Sequence, residues 1–332
     1  MIGLISYLAF FSTMAAIFAI AVLGLNLHWG YTGLFNGGVV AFFGAGAYGT
    51  MILGGRADAT VLGGFGLPFL VALAGGVVLA GMLAWIVGLL TVRLRHDYLA
   101  ISTFGVAIAF ESLTRNAEWL TGGARGLRGF PRPFEAAVGN NFVYGLLFLA
   151  FVLLVLVLVY IGLERLVRSP FGRALRAIRE DETAARSLGK NPTRLRLTSF
   201  VIGSMIMGVA GGLYVSFYAF VSPQDLAPIL TFQIWAMLIV GGAGNNRGAI
   251  LGAFLIWAAW TASGFLLARH APVAMQIYTG SIQYILIGSV IVGMLLWRPQ
   301  GLLPERLETS AGPDRARPAG TNTTATTNKG VT

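Results

Sequence analysis

The chain contains no cysteine, which excludes disulfide frameworks, thiolate metal sites and cysteine nucleophiles. It is also poor in charge. Asp, Glu, Lys and Arg make up 11% of its 332 residues, against about 25% in soluble domains. A soluble protein must cover its surface with polar groups, so this deficit excludes a soluble globular fold. It excludes a disordered chain too, which needs many charges and few apolar residues. The only histidines are His28, His96 and His270, far apart in sequence. No G-x-x-x-x-G-K-[ST] phosphate loop, H-E-x-x-H or G-x-S-x-G motif occurs, so the sequence offers no site for P-loop ATP hydrolysis or for those hydrolase chemistries.

What is present is apolar. Hydrophobic residues reach 56% and mean hydropathy is +0.75. A helix crossing about 30 Å of hydrocarbon needs roughly 20 apolar residues, and the pattern predicts nine such segments: 2–27, 31–53, 68–92, 98–113, 142–163, 197–220, 229–242, 249–268 and 277–297. Runs this long and unalternating read as helices rather than barrel strands. The expected fold is therefore all-α, a polytopic transmembrane helical bundle of about nine spans. The first segment lacks a basic leader and is too long for a cleavable signal peptide.

The net charge of +10 reflects orientation. The gaps after the first, third, fifth, seventh and ninth segments hold 17 of the 23 Lys and Arg residues, which predicts that those gaps are cytoplasmic, the N-terminus outside and the C-terminus inside. No aromatic-interleaved basic patch argues for nucleic acid. Residues 1–307 read as one membrane domain, and 308–332, rich in Thr, Ala, Gly and Asn, as a disordered cytoplasmic tail.

Three features point to function. Residues 24–55 hold ten glycines, which suits either tight helix packing or an unwound helix lining a path. Asn36 lies in this run beside Gly37 and Gly38, and Thr103, Glu111 and Gln233 are further polar groups at membrane depth. Glu111 reads first as an interfacial acid that reaches headgroup water or pairs with Arg115 at i+4, and second as a pathway residue. The segments 98–113 and 229–242 are short, one in each half, a pattern that points to a transporter's central site and to a repeat pairing the Gly-rich runs 30–49 and 241–252. Third, loop 164–196 carries nine basic and four acidic residues. Within it a helix starting at Ser169-Pro170-Phe171-Gly172 puts Phe171, Leu175 and Ile178 on one face and ends at Gly189. A well-delimited amphipathic helix with mixed charge, including Glu180-Asp181-Glu182, suits a protein groove better than anionic lipid. An ion-coupled carrier or channel is the alternative, but proton-coupled carriers usually bury several ionisable groups.

These residues resemble a family. Leu25-Asn26-Leu27, Gly30-Tyr31-Thr32-Gly33-Leu34 and Phe42-Phe43-Gly44-Ala45-Gly46-Ala47-Tyr48 are similar to the first Gly-rich stretch of the M-type permease subunits of bacterial ABC importers for branched-chain amino acids. Asp97-Tyr98-Leu99-Ala100-Ile101, Leu120-Thr121-Gly122-Gly123, Ser169 to Glu180, Gly241-Gly242-Ala243-Gly244 and Arg298-Pro299-Gln300-Gly301-Leu302 resemble later motifs in the same order. The chain departs from many members at Asn36, Val39 and Ile108. The resemblance implies a multi-pass subunit of the bacterial inner membrane that binds no cofactor. It implies an H-type permease partner, two ATP-binding subunits that hydrolyse the ATP, and a substrate-binding protein. The small-molecule substrate is an amino acid, with urea or short amides carried by related systems. The ATPase-contacting residues it implies are Phe171, Gly172, Leu175, Ile178, Glu182, Ala184, Ala185 and Gly189.

Overall fold

A computed structural model describes residues 2–56, 61–94, 96–133, 139–270 and 278–305; the expected tail 308–332 lies outside the described residues. The described residues form twelve α-helices. These are α1 (Ile2–Asn26), α2 (Val39–Gly54), α3 (Phe69–Thr91), α4 (His96–Asn116), α5 (Glu118–Thr121), α6 (Asn141–Arg168), α7 (Pro170–Glu180), α8 (Glu182–Ser187), α9 (Pro192–Tyr218), α10 (Ile229–Gly241), α11 (Asn246–His270) and α12 (Thr279–Trp297). A two-residue antiparallel ladder, Leu127–Arg128 against Phe220–Val221, ties the loop after α4 to the end of α9.

Among the described residues six helices are long and apolar enough to cross a membrane, and α2 and α10 are apolar but shorter. The count of nine is therefore not reproduced on length and composition, although each expected segment contains a helix. Helices α2, α4 and α10 make up the difference, and two of their boundaries depart from expectation. The segment expected at 31–53 does not become α-helical until Val39, because residues 32–38 are unwound. The segment expected to be short at 98–113 is a 21-residue helix with His96, Asp97, Glu111 and Arg115 along it. The two short helices are instead α2, with 16 residues, and α10, with 13.

The bundle contains two sets of four helices packed by one scheme. Helix α2 lies against α3 as α10 lies against α11, and α3 packs on α9 as α11 packs on α1. Helix α2 also touches α9 as α10 touches α1, and α4 leans on α2 and α3 as α12 leans on α10 and α11. Helix α6 stands outside this scheme and packs on α1. The lead helix of each set is followed by non-α-helical backbone, 27–38 after α1 and 219–228 after α9, and then by the short helix. The structural counterpart of the run 30–49 is thus the region around 219–236, not the later run 241–252.

Glycine sets the helix separations. Lipid tails are as apolar as leucine, so helices associate through close packing rather than through hydrophobic exclusion. A methyl group on Gly24 of α1 would sit 2.5 Å from the Gly203 carbonyl oxygen of α9, and one on Gly203 would sit 2.7 Å from the Gly24 carbonyl. A methyl on Gly76 of α3 would lie 2.6 Å from the Gly46 oxygen of α2, and one on Gly252 of α11 would lie 2.7 Å from the Gly241 Cα. Backbone thus meets backbone at the α1/α9, α2/α3 and α10/α11 crossings. The core around them is apolar: Phe42, Phe43, Ile17, Leu23 and Phe200 are fully buried.

Overpacking a tight contact costs about 1–3 kcal/mol. Gly24→Ala is expected to lower the thermal midpoint of the detergent-solubilised protein, because the Gly203 carbonyl cannot move independently of α9. Gly105→Ala, where nothing lies within 4 Å, is the control and is expected to leave the midpoint unchanged or raise it.

Candidate translocation site and cytoplasmic coupling helix

The break between α1 and α2 is built from residues that hold backbone away from helical geometry. After Asn26 the chain widens into a π-turn, Leu27–Tyr31, a distortion often found at functional sites. Gly33 then takes φ +72°, a left-handed conformation that costs glycine little. Residues 34–38 run irregularly to Val39. This stretch is buried: Asn26, His28 and Asn36 are 0% exposed and Thr32 is 1%. Non-helical backbone inside a membrane protein is tolerated only when its polar groups are satisfied.

Side chains of the break itself and of α4, α9 and α10 supply that satisfaction. The Asn36 carbonyl oxygen of the side chain accepts from Gly38 N at 2.8 Å, and its amide nitrogen lies 3.2 Å from His28 Nδ1. His28 Nε2 meets the Phe200 carbonyl of α9 at 2.9 Å, with the two rings stacked. From α4, the Thr103 hydroxyl accepts from Gly37 N at 2.9 Å while donating to the Leu99 carbonyl at 2.8 Å. From α10, Trp235 Nε1 donates to the Asn36 backbone carbonyl at 2.9 Å. Thr231 accepts from Val40 N at 3.3 Å, and Thr32 bonds to Ser199 of α9 at 2.6 Å. The two short helices are therefore cross-linked at the start of α2.

Of the residues expected along the path, Asn36, Gly37, Gly38 and Thr103 come together here. Gln233 does not join them. It is buried on α10, 8% exposed, and its Nε2 has no hydrogen-bond partner among the described residues. Glu111 lies two turns beyond Thr103 on α4 and bonds Arg115 at 2.6 Å, which is the i+4 pair the sequence also allowed. The sequence did not single out His28, Thr231 or Trp235. Only position could have flagged them, as polar or indole groups inside apolar runs.

A second chain of polar contacts starts from Asn26. Its side-chain oxygen accepts from Gly244 N at 2.8 Å, and its amide donates to Asn246 Oδ1 at 3.0 Å. Asn246 donates to Glu164 at 3.0 Å, and Glu164 pairs with Arg168 at 2.8 Å. One buried amide thus joins α1, α11 and the end of α6.

The loop after α6 contains two helices rather than one. Ser169 caps α7, its hydroxyl accepting from Phe171 N at 3.2 Å, with Pro170 in the first turn. Asp181, in extended conformation, ends α7 and caps α8, accepting from Thr183 N and Ala184 N at 2.8 and 3.0 Å. This second cap is why the helix expected to run to Gly189 is interrupted. Gly189 has φ +73° and ends the loop helices as expected. Glu182 bonds Arg186 at 2.6 Å and Arg196 of α9 at 2.9 Å, anchoring α8 to the bundle.

The apolar face of α7 is turned toward the chain's own bundle. Leu175 is 0% exposed, Ile178 is 2% and Gly172 packs directly on the Val167 backbone; Ala185 of α8 is buried as well. These residues seat the loop on its own chain, because an apolar face left open to water finds the nearest apolar surface first. The outward surface carries Arg173, Glu180, Ala184, Arg186 and Leu188, the last 78% exposed. Helix α7 also reaches the break. Arg179 donates through one terminal nitrogen to the Gly30 carbonyl and through the other to Glu305 at 2.8 Å, and its stem packs beneath Gly33. Arg176 lies over the Tyr31 ring at 5.8 Å. Residues 302–303 pair with the end of α10, Leu302 N to Val240 O at 2.9 Å and Leu303 N to Gly241 O at 3.0 Å, which brings Glu305 to Arg179.

Apolar helices, two interruptions and a buried polar crossing between the short helices define a polytopic membrane permease. The chain belongs to the family described as the branched-chain amino acid transport system permease component, whose profile matches residues 7–295. It is 33% identical over 316 residues to the high-affinity branched-chain amino acid transport system permease protein LivM of Escherichia coli, covering 88% of this chain and 69% of that one. It is 27% identical over 334 residues to the probable LivM permease of Methanocaldococcus jannaschii, covering 87% and 91%. It is 25% identical over 300 residues to the LivH permease of Salmonella typhimurium, covering 88% and 92%. No solved structure matches the chain.

Removing the Asn36 side chain leaves the Gly38 N–H without its acceptor, and an unsatisfied buried group costs about 1–3 kcal/mol. Asn36→Ala is expected to destabilise the protein by that order and Thr103→Ser to be near neutral. The same thermal midpoint, measured on both variants, checks this.

Proposed function

We propose that the chain is the M-type permease subunit of an ATP-driven importer of branched-chain amino acids in the bacterial inner membrane. It pairs with an H-type permease subunit to enclose the path. Two ATP-binding subunits dock on the cytoplasmic side and hydrolyse the ATP, so this chain binds no cofactor. A substrate-binding protein delivers the amino acid from outside, at the end where Arg56, Trp119, Arg125 and Arg128 line a cavity of about 880 Å³. On this reading the N-terminus is outside and the C-terminus inside, and with nine crossings the two four-helix sets have opposite orientations.

The observation that carries the reading is the contact between α7 and the break. ATP can drive transport only by biasing an element that has two arrangements, through a contact that differs between them. The buried face of α7 makes it one body with residues 27–33, and the Arg179 guanidinium joins that body to the C-terminal segment. A push on the exposed surface of α8 then reaches Asn36 and the two short helices without passing through lipid. Leu188, exposed at the tip, is the apolar group placed to enter a groove on the ATPase.

Leu188→Glu is expected to abolish co-purification of the ATPase subunits while leaving membrane insertion and pairing with the H-type subunit intact. Leu175→Arg is expected to act differently, unseating α7 and lowering the stability of the permease itself. Uptake of leucine into proteoliposomes is expected only with all four cytoplasmic and membrane subunits, the binding protein and ATP. Uptake by this chain alone in ATP-free vesicles contradicts the proposal.

A further inference from the structure

A cleft opens beside the break, between the two four-helix sets. It has a volume of about 560 Å³, within the roughly 300–1,000 Å³ of small-molecule sites. Its floor is aromatic: Phe35 and Trp235 are stacked with centroids 4.3 Å apart, and Trp29 meets both edge-on at 5.5 and 5.6 Å. Ala100 and Phe104 of α4 close one wall, and Phe232 of α10 the other. The indole N–H of Trp235 is turned away to the Asn36 carbonyl, which leaves ring faces and edges toward the space. The polar side chain in the lining is Thr231, 1% exposed, whose hydroxyl accepts from Val40 N.

We infer that this cleft is the seat of the substrate's aliphatic side chain during translocation, with the Phe35–Trp235 stack as its selecting surface. The inference rests on the proposed import of branched-chain amino acids. An apolar ring platform takes a branched alkyl group by area and shape and offers nothing to a charged side chain. The site is also placed to change. Phe35, Gly37 and Trp235 belong to the break or bond directly to it, and Thr103 ties the α4 wall to Gly37, so displacement of 27–38 by α7 reshapes the floor of the cleft and the α4 wall together. A phospholipid tail is the competing occupant, since the cleft has a lateral opening where Ile101 is 71% exposed. Tail-facing surface elsewhere, on α6 and α12, is dominated by Leu, Val and Ile. A concave aromatic floor joined to a broken helix is a different kind of surface.

The test uses the assembled complex of both permease and both ATPase subunits in nanodiscs without nucleotide, with tritiated leucine and phenylalanine as probes. Saturable leucine binding is expected in the unaltered complex. Ala100→Trp, which fills the cleft, is expected to weaken leucine binding by about tenfold or more, and Phe232→Ala, which widens it, to shift preference toward phenylalanine by about tenfold. Opposite effects from filling and widening cannot arise from misfolding. No leucine binding, or leucine binding that both variants leave within about twofold, overturns the inference. Loss of co-purified phospholipid in Ala100→Trp with leucine binding untouched assigns the cleft to a lipid tail and overturns it as well. Failure of the importer reading is a separate result, namely no ATP-dependent leucine uptake by the unaltered complex with its binding protein.

Discussion

Twelve residues of non-α-helical backbone, 27–38, lie inside a protein whose surroundings are hydrocarbon, and every peptide group among them needs a partner. That requirement organises the structure. Thr103 accepts from the Gly37 amide and Asn36 from the Gly38 amide, Trp235 donates to the Asn36 carbonyl, and Arg179 donates to the Gly30 carbonyl. These partners come from four separate elements, α4, α10, α7 and the break itself. The break therefore cannot shift without altering the geometry of all of them, which is what a coupling element needs.

Glycine makes the arrangement possible by a different route. Because α1, α9, α2 and α3 meet backbone to backbone at Gly24, Gly203, Gly46 and Gly76, the buried polar groups are within reach of neighbouring helices. At the wider separations set by larger side chains, Thr32 could not reach Ser199, nor His28 the Phe200 carbonyl. Close packing and hydrogen bonding thus support each other where hydrophobic exclusion contributes little to helix association.

Much of this was legible beforehand. Residue spacing located a helix in every expected segment, the glycine run marked the break, and Asn36 could be picked out as a polar residue within it. The cap at Ser169 and the stop at Gly189 were read from local chemistry alone. What escaped depends on long-range placement. An amphipathic helix announces that one face is buried but not against what, so Leu175 and Ile178 were assigned to a partner when they seat the loop on its own chain. Glu111 allowed two readings, of which the structure shows the contact with Arg115. Trp235 and Thr231 look like ordinary members of an apolar helix until α10 is set beside α2.

The central claim is that α7 and the break act as one body through Arg179. The direct measurement is the ratio of leucine imported to ATP hydrolysed by the reconstituted complex carrying Arg179→Gln. The account predicts ATP hydrolysis within about twofold of the unaltered complex and uptake reduced about tenfold, as expected when a coupling contact worth 1–2 kcal/mol is removed. An unchanged ratio of import to hydrolysis would contradict it.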